Sequence, residues 1–101
     1  MDYLLQLFKA LANTKRIQII EYLLKNGETH IDTIAKDLKI PLATCCRNLK
    51  ILEKVYLVLS KIKDGKAFYK IKNPSEHPYR KALVGLIRHR FKKQYSTFSK
   101  K

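Results

Sequence analysis

Apolar residues recur at helical spacing along most of this chain and alternate with period two in one stretch. Two short stripes follow one another in the middle: Ile31, Ile34, Ala35 and Leu38, then Leu42, Cys45, Leu49, Leu52 and Val55. Lys39-Ile40-Pro41 lies between them. Proline has no amide hydrogen and restricts the residue before it, so one helix should stop near Lys39 and another begin at Pro41 or Leu42. Thr29 is the expected N-cap of the first of these, its hydroxyl accepting from a free first-turn amide.

Upstream, residues 3–12 predict a helix capped by Asp2, with Leu4, Leu5, Phe8 and Leu11 as its apolar face. Asn13 caps a second helix from Thr14 to about Lys25, which Asn26-Gly27 ends; Ile17, Ile20, Leu24 and either Tyr22 or Leu23 face inward. Downstream, residues 56–63 and 66–71 are rich in β-branched and aromatic residues, and Asp64-Gly65 between them suits a two-residue turn with positive φ. A breaker cluster at residues 73–78 precedes a last helix from Pro78 to about Tyr95, with Tyr79, Leu83, Leu86, Ile87, Phe91 and Tyr95 along one side. Residues 96–101 read as a frayed end.

The central helix pair has the form of a helix-turn-helix, in which the second helix presents its N-terminal side chains to base edges. If Cys45, Leu49 and Leu52 point inward, the opposite face of helix 42–54 carries Ala43, Cys46, Arg47, Lys50 and Lys54. The same pattern suits an ordinary helical hairpin with a solvated basic face. The hairpin that follows tips the balance, because Lys61 and Lys63 alternate with Ile62 and Lys66 extends the basic tip. A basic hairpin at 57–71 directly after a helix-turn-helix is a wing. The fold class is therefore mainly α with a small β-hairpin, a winged helix-turn-helix with four helices before the two strands and one after. Residues 1–101 read as a single domain of this kind.

Charge strengthens the reading. The chain has 22 Lys and Arg against 8 Asp and Glu, a formal charge of +14. Residues 51–101 hold 14 of these bases and 3 of the acids. Such a field favours a polyanion, nucleic acid before an anionic membrane surface. Lys15 and Arg16 stand in the first turn of their helix, where cations oppose the helix dipole, a placement that suits phosphate contact as well as solvation. No apolar run approaches the roughly 18 residues of a membrane span, and residues 1–12 lack the pattern of a secretory signal, so a cytoplasmic location is expected. Cys45 and Cys46 are adjacent, which disfavours a bond between them and gives no metal-ligand spacing. Cys45 reads as a core residue and Cys46 as a groove-facing thiol.

The segments LFKALANTKRIQIIEYLLKNG, IAKDLKIPLATCCRNLKILEKVYLV and DGKAFYKI, in that order, resemble ArsR-type winged-helix transcriptional regulators over residues 7–71. The frame rests on Ala35, Leu38, Thr44, Arg47, Leu49, Lys50 and Leu52. The resemblance implies a homodimer on a pseudo-palindromic operator in double-stranded DNA, a repressor released by a small effector, with the first and last helices at the dimer interface. It departs from the family where serine is usual and Pro41 stands, where polar residues are usual and Leu42-Ala43 stand, where histidine is common and Asn48 stands, and where glycine is common and Tyr56 stands. Metal-sensing members carry Cys-x-Cys where this chain has His30-Ile31-Asp32. His30 and Asp32 are thus weak metal candidates, two ligands without a site, and neither metal nor cofactor is expected.

The residues expected at DNA are Thr44, Cys46, Arg47, Asn48 and Lys50 on the helix, Lys61, Lys63 and Lys66 on the wing, and Lys15 and Arg16. Those expected at the dimer interface are Leu4, Leu5 and Phe8 with Tyr79, Leu83, Leu86, Ile87 and Phe91. An architectural protein that binds nucleic acid without sequence preference is the rival, favoured by the C-terminal charge and by apolar Leu42-Ala43. An enzyme is disfavoured: the chain has no paired-carboxylate site, no Gly-rich phosphate loop and no recognisable Ser/His/Asp or Cys/His arrangement.

Overall fold

Each helix of the chain has one apolar stripe that must leave water, and the fold gathers these stripes around α2. The computed structural model describes the backbone of residues 2–99 and the side chains of residues 2–90. Its helices are α1 (Tyr3–Leu11), α2 (Thr14–Asn26), α3 (Ile31–Leu38), α4 (Leu42–Lys54) and α5 (Pro78–Ser99). Its strands are β1 (Thr29–His30), β2 (Val58–Lys63) and β3 (Lys66–Ile71). The core joins Leu7 and Leu11 of α1, Ile19, Ile20 and Leu23 of α2, Ile34 of α3, Cys45, Leu49 and Leu52 of α4, Val58 and Tyr69 of the sheet, and Val84 of α5. The inward face of α2 is thus Ile19, Ile20 and Leu23: Ile20 and, of Tyr22 and Leu23, the leucine lie as expected, while Ile17 and Leu24 are only partly covered at its edges and Ile19 takes their place.

Helix ends follow the local chemistry. Asp2 and Asn13 accept from the first-turn amides of α1 and α2. Gly27 (φ 73) ends α2, and Lys39 (φ 58, ψ 45) ends α3 in the left-handed region, its amide reaching back to Ala35 and Lys36 carbonyls. Thr29 does not cap α3. It lies in β1 opposite Tyr69, its hydroxyl donates to the Gly27 carbonyl, and His30 takes the cap position with no side-chain bond. A two-residue strand gives no periodicity to read, so only the partner strand reveals it.

The three strands run β1-β3-β2, all antiparallel. Asp64 (φ 51) and Gly65 (φ 74) make the hairpin turn, both left-handed as a type I′ turn requires. Residues directly opposite share a face, so pairing Lys61 with Phe68 and Lys63 with Lys66 puts Leu59, Lys61, Lys63, Lys66, Phe68 and Lys70 together. The other face carries Val58 and Tyr69 into the core. The basic face of the wing is therefore its outer one.

Two cationic side chains tie the helices where apolar contact alone leaves their rotation loose. Arg16, at the start of α2, donates from Nε to the Ala10 carbonyl, from Nη2 to the Lys9 carbonyl at 3.5 Å, and from Nη1 to Oδ1 of Asn48 at 2.9 Å. One guanidinium thus closes the end of α1 and grips the middle of α4. Arg80, which is not part of the apolar stripe of α5, turns inward and donates to the Tyr56 carbonyl at 2.7 Å. Tyr56 has φ 64, which costs a residue with a β-carbon about 1 kcal/mol and explains why glycine suits this position. A further tie joins α2 to α3: Tyr22 Oη donates to Asp37 at 2.6 Å, and burial together with that carboxylate pushes the phenol up to about 12.

The outward sides of α1 and α5 stay apolar. Leu5 and Phe8 (51 % exposed) lie on α1, and Tyr79 and Leu86 (66 % exposed) on α5, while Leu4 and Leu83 are half-buried. Ile87 departs from the expected interface. It is 8 % exposed and belongs to the core, because α5 packs on α2 through the Val84–Ile87 side. Phe91, Lys92, Lys93 and Tyr95 lie outside the described side chains.

Replacing Arg16 by alanine should lower the unfolding free energy in urea by about 1.5–3 kcal/mol, the range for hydrogen bonds from a charged group. A double-mutant cycle with Asn48→Ala should give a coupling of about 1 kcal/mol, whereas additive losses would contradict the bond. Lys39→Gly should instead stabilise by about 0.5–1 kcal/mol in the same assay, since the left-handed turn favours glycine and the exposed lysine has no side-chain partner among the described residues to give up.

Candidate nucleic-acid interface

The buried stripe of α4 decides what its other side offers. Cys45, Leu49 and Leu52 are wholly buried, and burial pushes the Cys45 thiol up to about 11, which leaves it inert. Turned outward are Ala43, Arg47, Lys50 and Lys54, all exposed, with Thr44 and Cys46 half-buried along the edges. Arg47, Lys50 and Lys54 make no hydrogen bond or ion pair among the described residues. A row of unpaired cations with small residues between them can approach a polyanion closely. Pro41 gives α4 no side-chain cap, so its first-turn amides have no protein side chain to bond.

Leu42 departs from its expected place. The stripe puts it in the core, yet it is 51 % exposed and stands outside the packed cluster. Pro41 and the left-handed Lys39 swing the start of α4 away while Ile40 packs inward.

Two expected contacts are tied up instead. Asn48 is 7 % exposed and its carbonyl oxygen is taken by Arg16, so neither residue faces outward as a free group. Asn48 lies three residues after buried Cys45 and four before buried Leu52, on the same side of α4, and its partner Arg16 is 32 positions away. Lys15, beside Arg16, is exposed and unpaired among the described residues.

On the wing, Lys63 is also engaged. Its Nζ meets Glu28 at 2.7 Å and lies 5.3 Å from the centre of the Phe68 ring. The bond to Lys63, with Lys61 and Lys70 nearby, holds the Glu28 carboxyl below the usual carboxylate range. Lys61 and Lys66 are exposed without a direct partner among the described residues, and Lys70 joins them on the outer face. The alternation of β3, Lys66-Phe68-Lys70, is the signal that identifies Lys70; Glu28 has none, since it sits in a loop 35 residues from its partner. The hairpin tip also exposes Ile62 on the core side, beyond the reach of the core.

His30 and Asp32 approach to 3.7 Å, and the His30 ring packs against Phe68. Among the described residues no three His, Cys, Asp or Glu side chains gather to hold a metal. His77 is used in packing between Tyr3 and Tyr79, and its Nδ1 accepts from the Tyr79 amide. No described helix is long and apolar enough to cross a membrane.

No protein-family profile matches the chain, and no curated protein does. Solved structures do. A possible transcriptional regulatory protein of Mycobacterium bovis (fragment 1–100) is 30 % identical, with a TM-score of 0.72 over 86 % of this chain and 88 % of that one. The homodimeric winged helix-turn-helix DNA-binding domain Mb0332 of the same organism, a possible ArsR-family transcriptional regulator, is 29 % identical, with a TM-score of 0.74 over 86 % and 76 %. HlyU from Vibrio cholerae is 25 % identical, with a TM-score of 0.72 over 86 % and 89 %. These folds are those of regulators' DNA-binding domains and not of enzymes. Helix order, the left-handed positions at Tyr56 and the Asp64-Gly65 turn, and this likeness over most of both chains agree: the protein belongs to the ArsR-type winged helix-turn-helix transcriptional regulators.

Proposed function

We propose that this protein is a sequence-specific, double-stranded-DNA-binding transcriptional regulator that acts as a homodimer in the cytoplasm, as a repressor that occludes the promoter it sits on. The observation that carries this is the unpaired basic face of α4, opposite a stripe that the core holds fixed. Seated in the major groove, that face brings Arg47 to a guanine edge, where its fork bonds O6 and N7 together. Thr44 and Cys46 flank it, and Lys50 and Lys54 meet phosphates. Lys61 and Lys66 hold the wing against the backbone, with Lys15 as a further phosphate ligand. Lys63 contributes less, being already paired with Glu28.

The dimer joins α1 to α5 of two copies through Leu5, Phe8, Tyr79 and Leu86, with Leu4 and Leu83 at the margin. These residues are exposed or half-buried in one copy, and the related Mycobacterium domain is homodimeric. Two copies related by a two-fold axis would meet half-sites one helical turn apart, about 34–36 Å.

The architectural rival keeps one observation in its favour: Leu42 and Ala43 offer no hydrogen bond at the helix start. Arg47→Ala separates the two readings. A regulator loses about 1–3 kcal/mol on its preferred duplex and much less on random duplex; equal losses on both would make the arginine electrostatic and favour the architectural reading. Lys66→Ala, by contrast, should weaken every duplex alike and reduce the slope of log affinity against log salt by about one for each phosphate no longer neutralised.

Leu86→Glu tests the dimer. In sedimentation at micromolar concentration the wild type should run as two chains and the variant as one, with weaker operator binding and an unchanged fold. A wild type that runs as one chain would contradict the interface.

A further inference from the structure

The apolar stripe of α4 assigns Leu42 to the core, and the fold leaves it in water. It is the first residue of the helix, 51 % exposed, while the following members of its stripe, Cys45, Leu49 and Leu52, are completely covered. Ala43 beside it is exposed as well. Exposed leucines are ordinary on protein surfaces. The position of this one is not, because the first turn of the second helix is the part whose side chains reach base edges.

The chemistry of that encounter is restrictive. Leucine and alanine have neither donor nor acceptor, so a purine N7, a guanine O6 or an amino group pressed against them would lose its water without a replacement bond. The C5 methyl of thymine is the one apolar group that a base pair presents in the major groove. We infer that Leu42, with Ala43 next to it, is a specificity determinant that reads thymine methyl groups in each half-site. This rests on the DNA-binding reading above and adds the base it selects. Arg47 lies five residues along the helix, about 7.5 Å of rise and about 140° of rotation away, so the leucine and the arginine meet different positions of a half-site.

Deoxyuridine tests this directly, because it differs from thymidine only by that methyl. Each thymine of a duplex recovered from a random pool is replaced in turn, and binding of the full chain is followed by fluorescence anisotropy. Replacement at one or two positions per half-site should weaken wild-type binding about fourfold per methyl, the affinity equivalent of about 0.8 kcal/mol, and about sixteenfold when both half-sites are altered at one position. Leu42→Ala should bind the thymine duplex more weakly and lose most of the discrimination. Its circular dichroism melt should match the wild type, since the side chain is half in water. Wild-type indifference to uracil at every position, with preference for the recovered duplex over random DNA retained, would overturn the inference and leave the regulator intact. Full discrimination retained by Leu42→Ala would also overturn it. No preference for the recovered duplex over random DNA would sink the regulator reading itself, and the thymine contact with it. The wild-type series needs no variant, so indifference to uracil overturns the inference even where Leu42→Ala fails to fold.

Discussion

The guanidinium of Arg16 is where α1, α2 and α4 are fixed to one another. Burial of Cys45, Leu49 and Leu52 is non-directional: it sets which side of α4 faces in, but allows the helix some rotation and slide. The bond from Arg16 to Asn48, beside Leu49, removes that freedom. The same side chain satisfies the Lys9 and Ala10 carbonyls at the end of α1, so the helix with exposed Leu5 and Phe8 is held in register with the helix that carries Arg47. The surface offered to a second copy and the surface offered to DNA therefore share one point of attachment. A half-site spacing set by dimer geometry is useful only if α4 cannot turn relative to α1, and this contact supplies that stiffness.

Net charge is a coarse guide to what such a protein does with its cations. Of the many basic residues, Arg16, Arg80 and Arg90 bond within the chain, the last to Glu21, and Lys63 and Lys72 pair with Glu28 and Glu76. Among the described residues, Arg47, Lys50, Lys54, Lys61 and Lys66 do not. Glu21, Glu28 and Glu76 thus occupy cations away from α4, and the helix's outer face keeps its charge for a partner. An exposed ion pair such as Lys63–Glu28 is weak in itself, and a phosphate can compete for the lysine.

The helices, the hairpin and the family frame were legible because each rests on local rules: 3.6-residue stripes, Asn and Asp caps, the Pro41 break and the Asp64-Gly65 turn. The roles that sequence misplaced depend on partners far along the chain. Arg16 and Asn48 look like free polar groups until α2 crosses α4, and Lys63 looks like a phosphate ligand until β1's loop brings Glu28 beside it. Ile87 and Leu83 belong to one apolar stripe by spacing, yet α5 is apolar over so wide an arc that it serves the core on one side and exposes Leu86 on another. Leu42 is the opposite case. Its spacing is that of a core residue, but the turn before it carries the helix start beyond the core, and only the fold shows a leucine whose presence packing does not explain.

The central claim is that two copies of α4 read DNA sequence in a fixed relative geometry. Selection of bound duplexes from a random pool, followed by footprinting of the recovered sites, tests it most directly. The account predicts one enriched motif made of two inverted half-sites, centred about one helical turn apart and each containing a guanine, with both halves protected together. Recovery of a pool as diverse as the starting one, bound at the same affinity, would contradict it.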